Sequence, residues 1–206
     1  METKNGTKFI DGIKYDKYPP PVTLIKATEF KWAEKLLNEG SIRLNSIEYY
    51  ETIENPELGD VNEGKGMLRL NGHLMQTGSV NEVFIWCSAL PGTSASILKE
   101  IDPSYDTMIC ITDVVEFTKR IFSALKDYGY RWLPWRGQVT YNRDIEVSKK
   151  TLNNQDWQFN IFQKSAKHKH QREYRMSFTN VSVQRKKEKW IDISMGYSGD
   201  IMTIEK

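Results

Sequence analysis

The stretch Gln171-Arg172-Glu173-Tyr174-Arg175-Met176-Ser177-Phe178 decides how the chain is read. Tyr174, Met176 and Phe178 alternate with Glu173, Arg175 and Ser177, the period-two pattern of a β-strand with one apolar and one polar face. That polar face is either open to solvent or the wall of a cleft. Only the second gives the Glu173 carboxylate a role.

Working outward, Val22 to Lys26 reads as a short strand. Thr28 is placed to cap a helix from Glu29 to about Asn38 that buries Phe30, Ala33, Leu36 and Leu37 and stops at Gly40. Ser41 to Leu44 is a second strand, and Ser46 to Glu51 a short amphipathic turn of helix. Asn55 to Gly66, with Gly59, Gly64 and Gly66 among acidic residues, has the composition of turns. Asn71-Gly72 joins Met67–Leu70 to His73–Gln76 as a hairpin. Val83–Ser88 is apolar enough for a sheet centre, and Met108–Ile111 follows a Gly/Ser/Thr-rich linker. Asp113 caps a helix reaching about Lys126, with Val114, Phe117, Ile121, Phe122 and Leu125 on one face. Gln138–Tyr141 is a further strand and Trp157–Phe162 a helix. Trp190–Ser194 closes a hairpin with the Glu173 strand across a basic turn. Many strands with helices mostly between the first few argue an α+β fold with mixed or antiparallel sheets. Residues 1–21, ending in Tyr18-Pro19-Pro20-Pro21, form an extended N-terminal segment, and residues 22–206 a single α+β domain.

With 206 residues the chain is long enough for one core and a cleft. The 12% aromatic content, with six Trp and ten Tyr, suits either a large core or a site that stacks flat rings. No apolar run approaches a bilayer span, and Met-Glu-Thr-Lys-Asn-Gly at the start is not a signal peptide. Cys87 and Cys110 sit inside apolar runs and read as reduced core thiols, so a cytoplasmic protein without a membrane partner is expected. The net charge of +2 does not by itself imply a polyanionic partner. Basic residues nevertheless concentrate late, from Lys164, Lys167, Lys169, Arg172 and Arg175 to Arg185, Lys186, Lys187 and Lys189. They either guard a strand edge or attract a polyanion or pyrophosphate.

His168 and His170, with His73 the one other histidine, do not make a closed metal site, so no metal is expected. There is no Gly-x-Ser-x-Gly elbow, phosphate loop or Gly-x-Gly-x-x-Gly fingerprint. What remains is a scattered set: Lys26, Thr28, Arg43, Tyr49, Tyr50, Ser88, Gln171 and Glu173. Singly, each has a structural explanation, such as a sheet-end charge for Lys26, a Glu39 or Glu48 partner for Arg43, and a core edge for the tyrosines.

Taken in order, the set resembles the ADP-ribosyltransferase superfamily: strand, short polar motif, helix ending in Gly, second strand, aromatic pair, and a late Glu-Tyr on a polar-faced strand. Lys26-Ala27-Thr28 stands where that superfamily has a His-x-Thr or Arg motif holding the ribose and phosphates of NAD. Tyr49 or Tyr50 corresponds to the tyrosine that stacks on nicotinamide, and Cys87-Ser88 to the Ser-Thr-Ser element. Gln171 and Glu173 match Gln-x-Glu, with Glu173 the catalytic residue. Over roughly residues 22 to 178 the chain is also similar to a group of uncharacterised prophage- and phage-defence-associated bacterial proteins. The shared segments are Gly40 to Leu44, Tyr49-Tyr50, Gly59 to Gly64, Phe162-Gln163-Lys164 and Glu173-Tyr174-Arg175.

These resemblances imply an ADP-ribosyltransferase-like fold, and an enzyme that moves ADP-ribose from NAD to a nucleic-acid or protein acceptor in phage–host conflict, as a toxin or a defence. Glu173 and Gln171 would be catalytic, while Lys26, Thr28, Arg43, Tyr49, Tyr50 and Ser88 would hold NAD. An oxocarbenium-like transition state needs a carboxylate, a pyrophosphate needs a cation, and a nicotinamide ring needs an aromatic face. Two other classes stay open. One is a non-catalytic nucleotide- or protein-binding module, acting as sensor, sponge or inhibitor. The other is a nucleic-acid-binding protein using the basic C-terminal hairpin at Arg185 to Lys189. In the enzyme reading, the late basic segment with Trp132 and Trp135 fits a nucleic-acid acceptor as readily as a protein one.

Overall fold

The computed structural model describes residues 2–4, 7–10, 13–15, 20–53, 55, 57–60, 62–77, 82–142, 145–146, 161–182 and 187–205. The first half of the chain runs through β1 (Glu2–Lys4), β2 (Thr7–Ile10), β3 (Ile13–Tyr15), β4 (Leu24–Thr28), α1 (Phe30–Glu39), β5 (Ser41–Ser46), α2 (Ile47–Glu51), β6 (Gly66–Leu70), β7 (His73–Thr77) and β8 (Val83–Ala89). Then come α3 (Ala95–Ile101), β9 (Thr107–Ile111), α4 (Val114–Lys126), β10 (Trp132–Gln138), β11 (Ile145–Glu146), a 3₁₀ turn (Ala166–Gln171), β12 (Glu173–Asn180), β13 (Trp190–Ser194) and β14 (Met202–Glu205).

Val-Phe-Ile-Trp-Cys-Ser-Ala presents apolar side chains on both faces, so β8 lies in the middle of the main sheet. Among the described residues that sheet has 11 strands, and its main path is β1-β2-β3-β10-β12-β8-β4-β9-β14. Within it pairing is antiparallel except between β3 and β10; in a small second sheet β6 pairs antiparallel with β7 and parallel with β11. The fold is mixed α and β, with a mostly antiparallel sheet and few helices.

One property of β8 shapes everything that follows. Along one edge it pairs continuously with β12, from Thr179 opposite Val83 to Glu173 opposite Ala89. Its other edge is divided: β5 pairs at Phe84 and Ile85, and β4 at Ala89. Between them Trp86, Cys87 and Ser88 have no strand partner on that edge among the described residues. From the split, β4 leads on to β9 and β14, whereas β5 leads to β13.

The helices fit these strands by pattern. In α1, Ala33 and Leu36 are buried, and Gly40 ends the helix with φ 63° while its N–H bonds to the Leu36 carbonyl. In α4, the Asp113 carboxylate accepts the Glu116 N–H at 2.9 Å, and Val114, Phe117, Ile121 and Leu125 are buried. These helices cover a core that includes Leu24, Trp86, Ile109, Tyr174, Met176 and Phe178. Smaller apolar clusters lie elsewhere, one around Ile47, Val83, Ile85 and Ile161 and one around Ala27, Ala89 and Leu98.

Several expectations are corrected. Thr28 stays in β4 rather than capping α1, where Glu29 occupies the cap position without a side-chain bond. The Gly/Ser/Thr-rich linker holds α3, capped by Ser94, whose hydroxyl accepts the Ile97 N–H. The strand expected at Gln138–Tyr141 lies earlier, at Trp132–Gln138, and its Pro134 is accommodated because β3 pairs only at Trp135 and Arg136. The strand read from Gln171 begins at Glu173, because Arg172 adopts φ 46° at the end of the 3₁₀ turn. Trp190–Ser194 pairs with β5, not with the Glu173 strand. Within residues 1–21, β1 to β3 form a meander that joins β10. The helix expected at Trp157–Phe162 lies outside the described residues except for its last two positions, as do Arg185 and Lys186 of the basic run.

Candidate active-site cleft at the split of the sheet

Two cavities flank the split. The first, of about 220 Å³, lies against α3 and the polar face of β12. The second, of about 330 Å³, lies against α1 and is walled by Trp32, Trp86 and Ile109. Lys26, Asn45, Tyr50 and Cys87 line both, and form their common wall.

The polar face of β12 is not solvent. All eight residues of the strand are buried, so Glu173, Arg175, Ser177 and Thr179 are enclosed as fully as Tyr174, Met176 and Phe178. Ionised groups tolerate such burial only when paired and hydrogen-bonded. Here the pairing is extensive. Arg175 donates from Nε to Glu173 Oε1 at 2.6 Å and from Nη2 to Glu173 Oε2 at 3.2 Å. It also forks onto both oxygens of Glu63, at 2.5 and 3.0 Å, and bonds the Ile161 carbonyl. Lys164 Nζ donates to Glu173 Oε2 at 3.1 Å and to Gln171 Oε1 at 2.8 Å. Gln171 in turn donates from Nε2 to the Glu57 carbonyl at 2.9 Å, tying the 3₁₀ turn before β12 to the loop after α2.

The Glu173 carboxyl is therefore ionised. Burial alone would raise it, but the Arg175 guanidinium and then the Lys164 ammonium outweigh that and hold it well below the usual carboxylate range. Burial pushes the Cys87 thiol up to about 12 and the Tyr50 hydroxyl well above its ordinary value, so both keep their protons at neutral pH. Tyr105, also on the first cavity, rises to about 12 for the same reason. Burial lowers the Lys26 ammonium, against the pull of the Glu173 carboxylate.

Lys26 differs from the other cations of the cleft. No carboxylate lies within ion-pairing distance of it among the described residues, and its recorded partner is the face of Trp86, 5.5 Å from Nζ. Beside it, Asn45 donates from Nδ2 to the Tyr50 hydroxyl at 3.3 Å, while its buried Oδ1 accepts no hydrogen bond.

The scattered residues thus largely meet. Lys26, Tyr49, Tyr50, Ser88, Gln171 and Glu173 line the first cavity, and Thr28 and Arg43 line the second together with Lys26 and Tyr50. Arg43 is not a free cation. It pairs bidentately with Asp192 across β5 and β13, at 2.8 and 2.9 Å, rather than with Glu39 or Glu48, and its guanidinium stacks on Trp190. Tyr49 packs edge-on against Tyr50 and Trp190. The Ser88 hydroxyl is directed to the Tyr174 carbonyl. Within the late basic run, Lys164 and Arg175 are internal partners of Glu173, whereas Lys167, Lys169, Arg172, Lys187 and Lys189 are exposed. Trp132 is buried and donates its ring N–H to the Leu125 carbonyl, so it is no exposed stacking platform.

Glu63, Asn45 and Tyr105 belong to the site although the sequence did not single them out. Glu63 lies within the acidic Gly59-to-Gly64 loop, and its partner Arg175 is on a different element, so no local spacing points to the pair. Cys87 reads in the sequence as an apolar-strand thiol and, with Ser88, only by resemblance as part of the site.

Among the described residues no helix is long and apolar enough to cross a membrane. Comparison with known proteins yields no match to a family model, to a curated protein or to a solved structure.

Proposed function

We propose that the cleft binds NAD and that the protein transfers ADP-ribose from it to a nucleic-acid or protein acceptor. The observation that carries this reading is Glu173, a buried carboxylate kept ionised on a cavity whose other walls include Tyr49, Tyr50 and the Lys26 ammonium. Breaking the N-glycosidic bond of NAD places positive charge on the ribose, and a preorganised carboxylate stabilises that charge without rearranging. The bonding electrons leave with nicotinamide, so Glu173 takes up no proton in this step. Because both its oxygens already face cationic N–H groups, its contribution is electrostatic rather than that of a base. Lys26 would meet the pyrophosphate, and a tyrosine ring would stack on nicotinamide and fix the leaving group.

Incubation with labelled NAD and a cell lysate tests this. The expected result is label on macromolecules, reduced on the order of 10²- to 10³-fold in Glu173→Gln, as when one preorganised electrostatic contact is removed. Thermal melting must show that variant folded. Full transfer by folded Glu173→Gln would sink the proposal. Tyr49→Ala, which leaves the ion cluster intact, should weaken NAD binding.

The engagement of both Glu173 oxygens favours a second reading, a non-catalytic nucleotide-binding module. Calorimetric titration with NAD and with cyclic nucleotides separates the two, since tight binding without nicotinamide release fits only the second.

A further inference from the structure

Every carboxylate on the two cavities is engaged by a polar partner. Glu57 meets the His170 ring at 3.1 Å, Glu63 and Glu173 share Arg175, and Asp192 holds Arg43. The cations Arg175 and Arg43 are matched by the same bonds, and Lys164 by its bond to Glu173. Lys26 is the exception among the described lining residues. It sits in the common wall with no carboxylate within ion-pairing distance among the described residues, 5.5 Å from the Trp86 ring and lining the same two cavities as the Tyr50 hydroxyl and the Cys87 thiol. A lysine amine desolvated among apolar and aromatic groups is a nucleophile toward carbonyl carbon.

We propose that Lys26 is a covalent site, forming an imine with an aldehyde that enters the cleft, the rest of the ligand being a flat ring lying against Trp86 and Tyr50. The amine lone pair adds to the carbonyl carbon, the C–O π electrons move to oxygen, and that oxygen is protonated. The nitrogen loses one proton to give the neutral carbinolamine. The hydroxyl, taking up a proton, then departs as water and the nitrogen gives up its second proton, so amine plus aldehyde gives imine plus water with no oxidant or reductant. Tyr50 and Cys87 remain protonated at neutral pH and supply proton donors at the wall. Burial that lowers the Lys26 ammonium enlarges its free-amine fraction.

The test is selective labelling of the full chain with pyridoxal 5′-phosphate at neutral pH, followed by borohydride reduction and peptide mapping. Lys31 and Lys35, exposed on α1, serve as internal references. A lowered amine has a larger neutral fraction at a given pH. Labelling at Lys26 faster than at Lys31 and Lys35 is therefore expected. Lys26→Arg should lose this label alone, and the wild-type map decides the matter even if that variant does not fold. Equal labelling of the three lysines, or an unmodified Lys26 beside labelled Lys31, overturns the proposal.

Discussion

His168 and Glu173 are both buried and both titrate below their ordinary values, in two separate windows. Burial, with Lys164 and Lys167 nearby, lowers the His168 ring from 6.5 to about 4, and its Nε2 has no hydrogen-bond partner among the described residues. Between those values the unfolded chain binds a proton that the folded chain does not, so stability falls as pH drops through this range and the loss is complete below it. The Glu173 carboxyl is held below its unfolded value of about 4.3. Its contribution is therefore fully present above that value and is lost as pH falls beneath it toward the folded pKa. Urea midpoints measured from pH 8 to pH 3 should decline in two stages. His168→Phe should flatten the stage between about 6.5 and about 4, and Glu173→Gln the stage below. An unchanged slope in either variant would remove that residue from the account. Neither behaviour is visible in the sequence, where His168 reads only with His170 as an incomplete metal site and Glu173 as one member of an alternating strand.

Elements whose pattern is local were legible, and those that depend on distant partners were not. Gly40 shows the first case: a helical stripe followed by glycine announced the end of α1, and the structure adds why only glycine serves there. Its φ is 63°, and a Cβ would collide with the backbone of Gly196. Gly72, at φ 78° in the β6–β7 hairpin, has open space where its Cβ would lie. Both substitutions with alanine meet the left-handed penalty of about 1–2 kcal/mol, but only Gly40→Ala adds a backbone collision. Thermal or urea unfolding should therefore show Gly40→Ala as clearly the more damaging, and equal losses would refute the role assigned to the Gly196 contact. The asparagine-glycine hairpin and the Asp113 cap were readable for the same local reason. By contrast, α3 was taken for a linker because Pro91-Gly92-Thr93-Ser94 precedes it and its seven residues carry little periodicity. The placement of β13 beside β5 rests on a long-range register that includes Asp192 opposite Arg43, and no neighbouring residue encodes it.

At the scale of the molecule, the division of one edge of β8 between β4 and β5 turns a set of widely spaced residues into a cleft. Reading them in chain order brought Lys26, Tyr49, Tyr50, Ser88, Gln171 and Glu173 to one cavity, yet it could not show which charges cancel. Arg43, expected among the residues that hold NAD, is consumed by Asp192, and Lys164 and Arg175, which read as part of a late basic run, neutralise Glu173. Lys26 is left as the cleft cation without a carboxylate partner among the described residues, which separates its effect on stability from its effect on binding. Removing one partner of a buried ion pair is costly because it strands the other charge, but Lys26→Met strands none and relieves a desolvated ammonium. Its stability should stay within about 1 kcal/mol of the parent, against a loss of about 3–5 kcal/mol expected for breaking a buried pair. Binding should behave oppositely. If an anionic nucleotide crosses the common wall at Lys26, the methionine variant loses at least about tenfold in affinity, on the order of 1.4 kcal/mol, and the remaining binding depends less on salt. Calorimetric titrations of both proteins at low and high ionic strength, beside their melting curves, make the comparison. Unaltered affinity and salt dependence in a stably folded Lys26→Met would mean that no anion is held at the split.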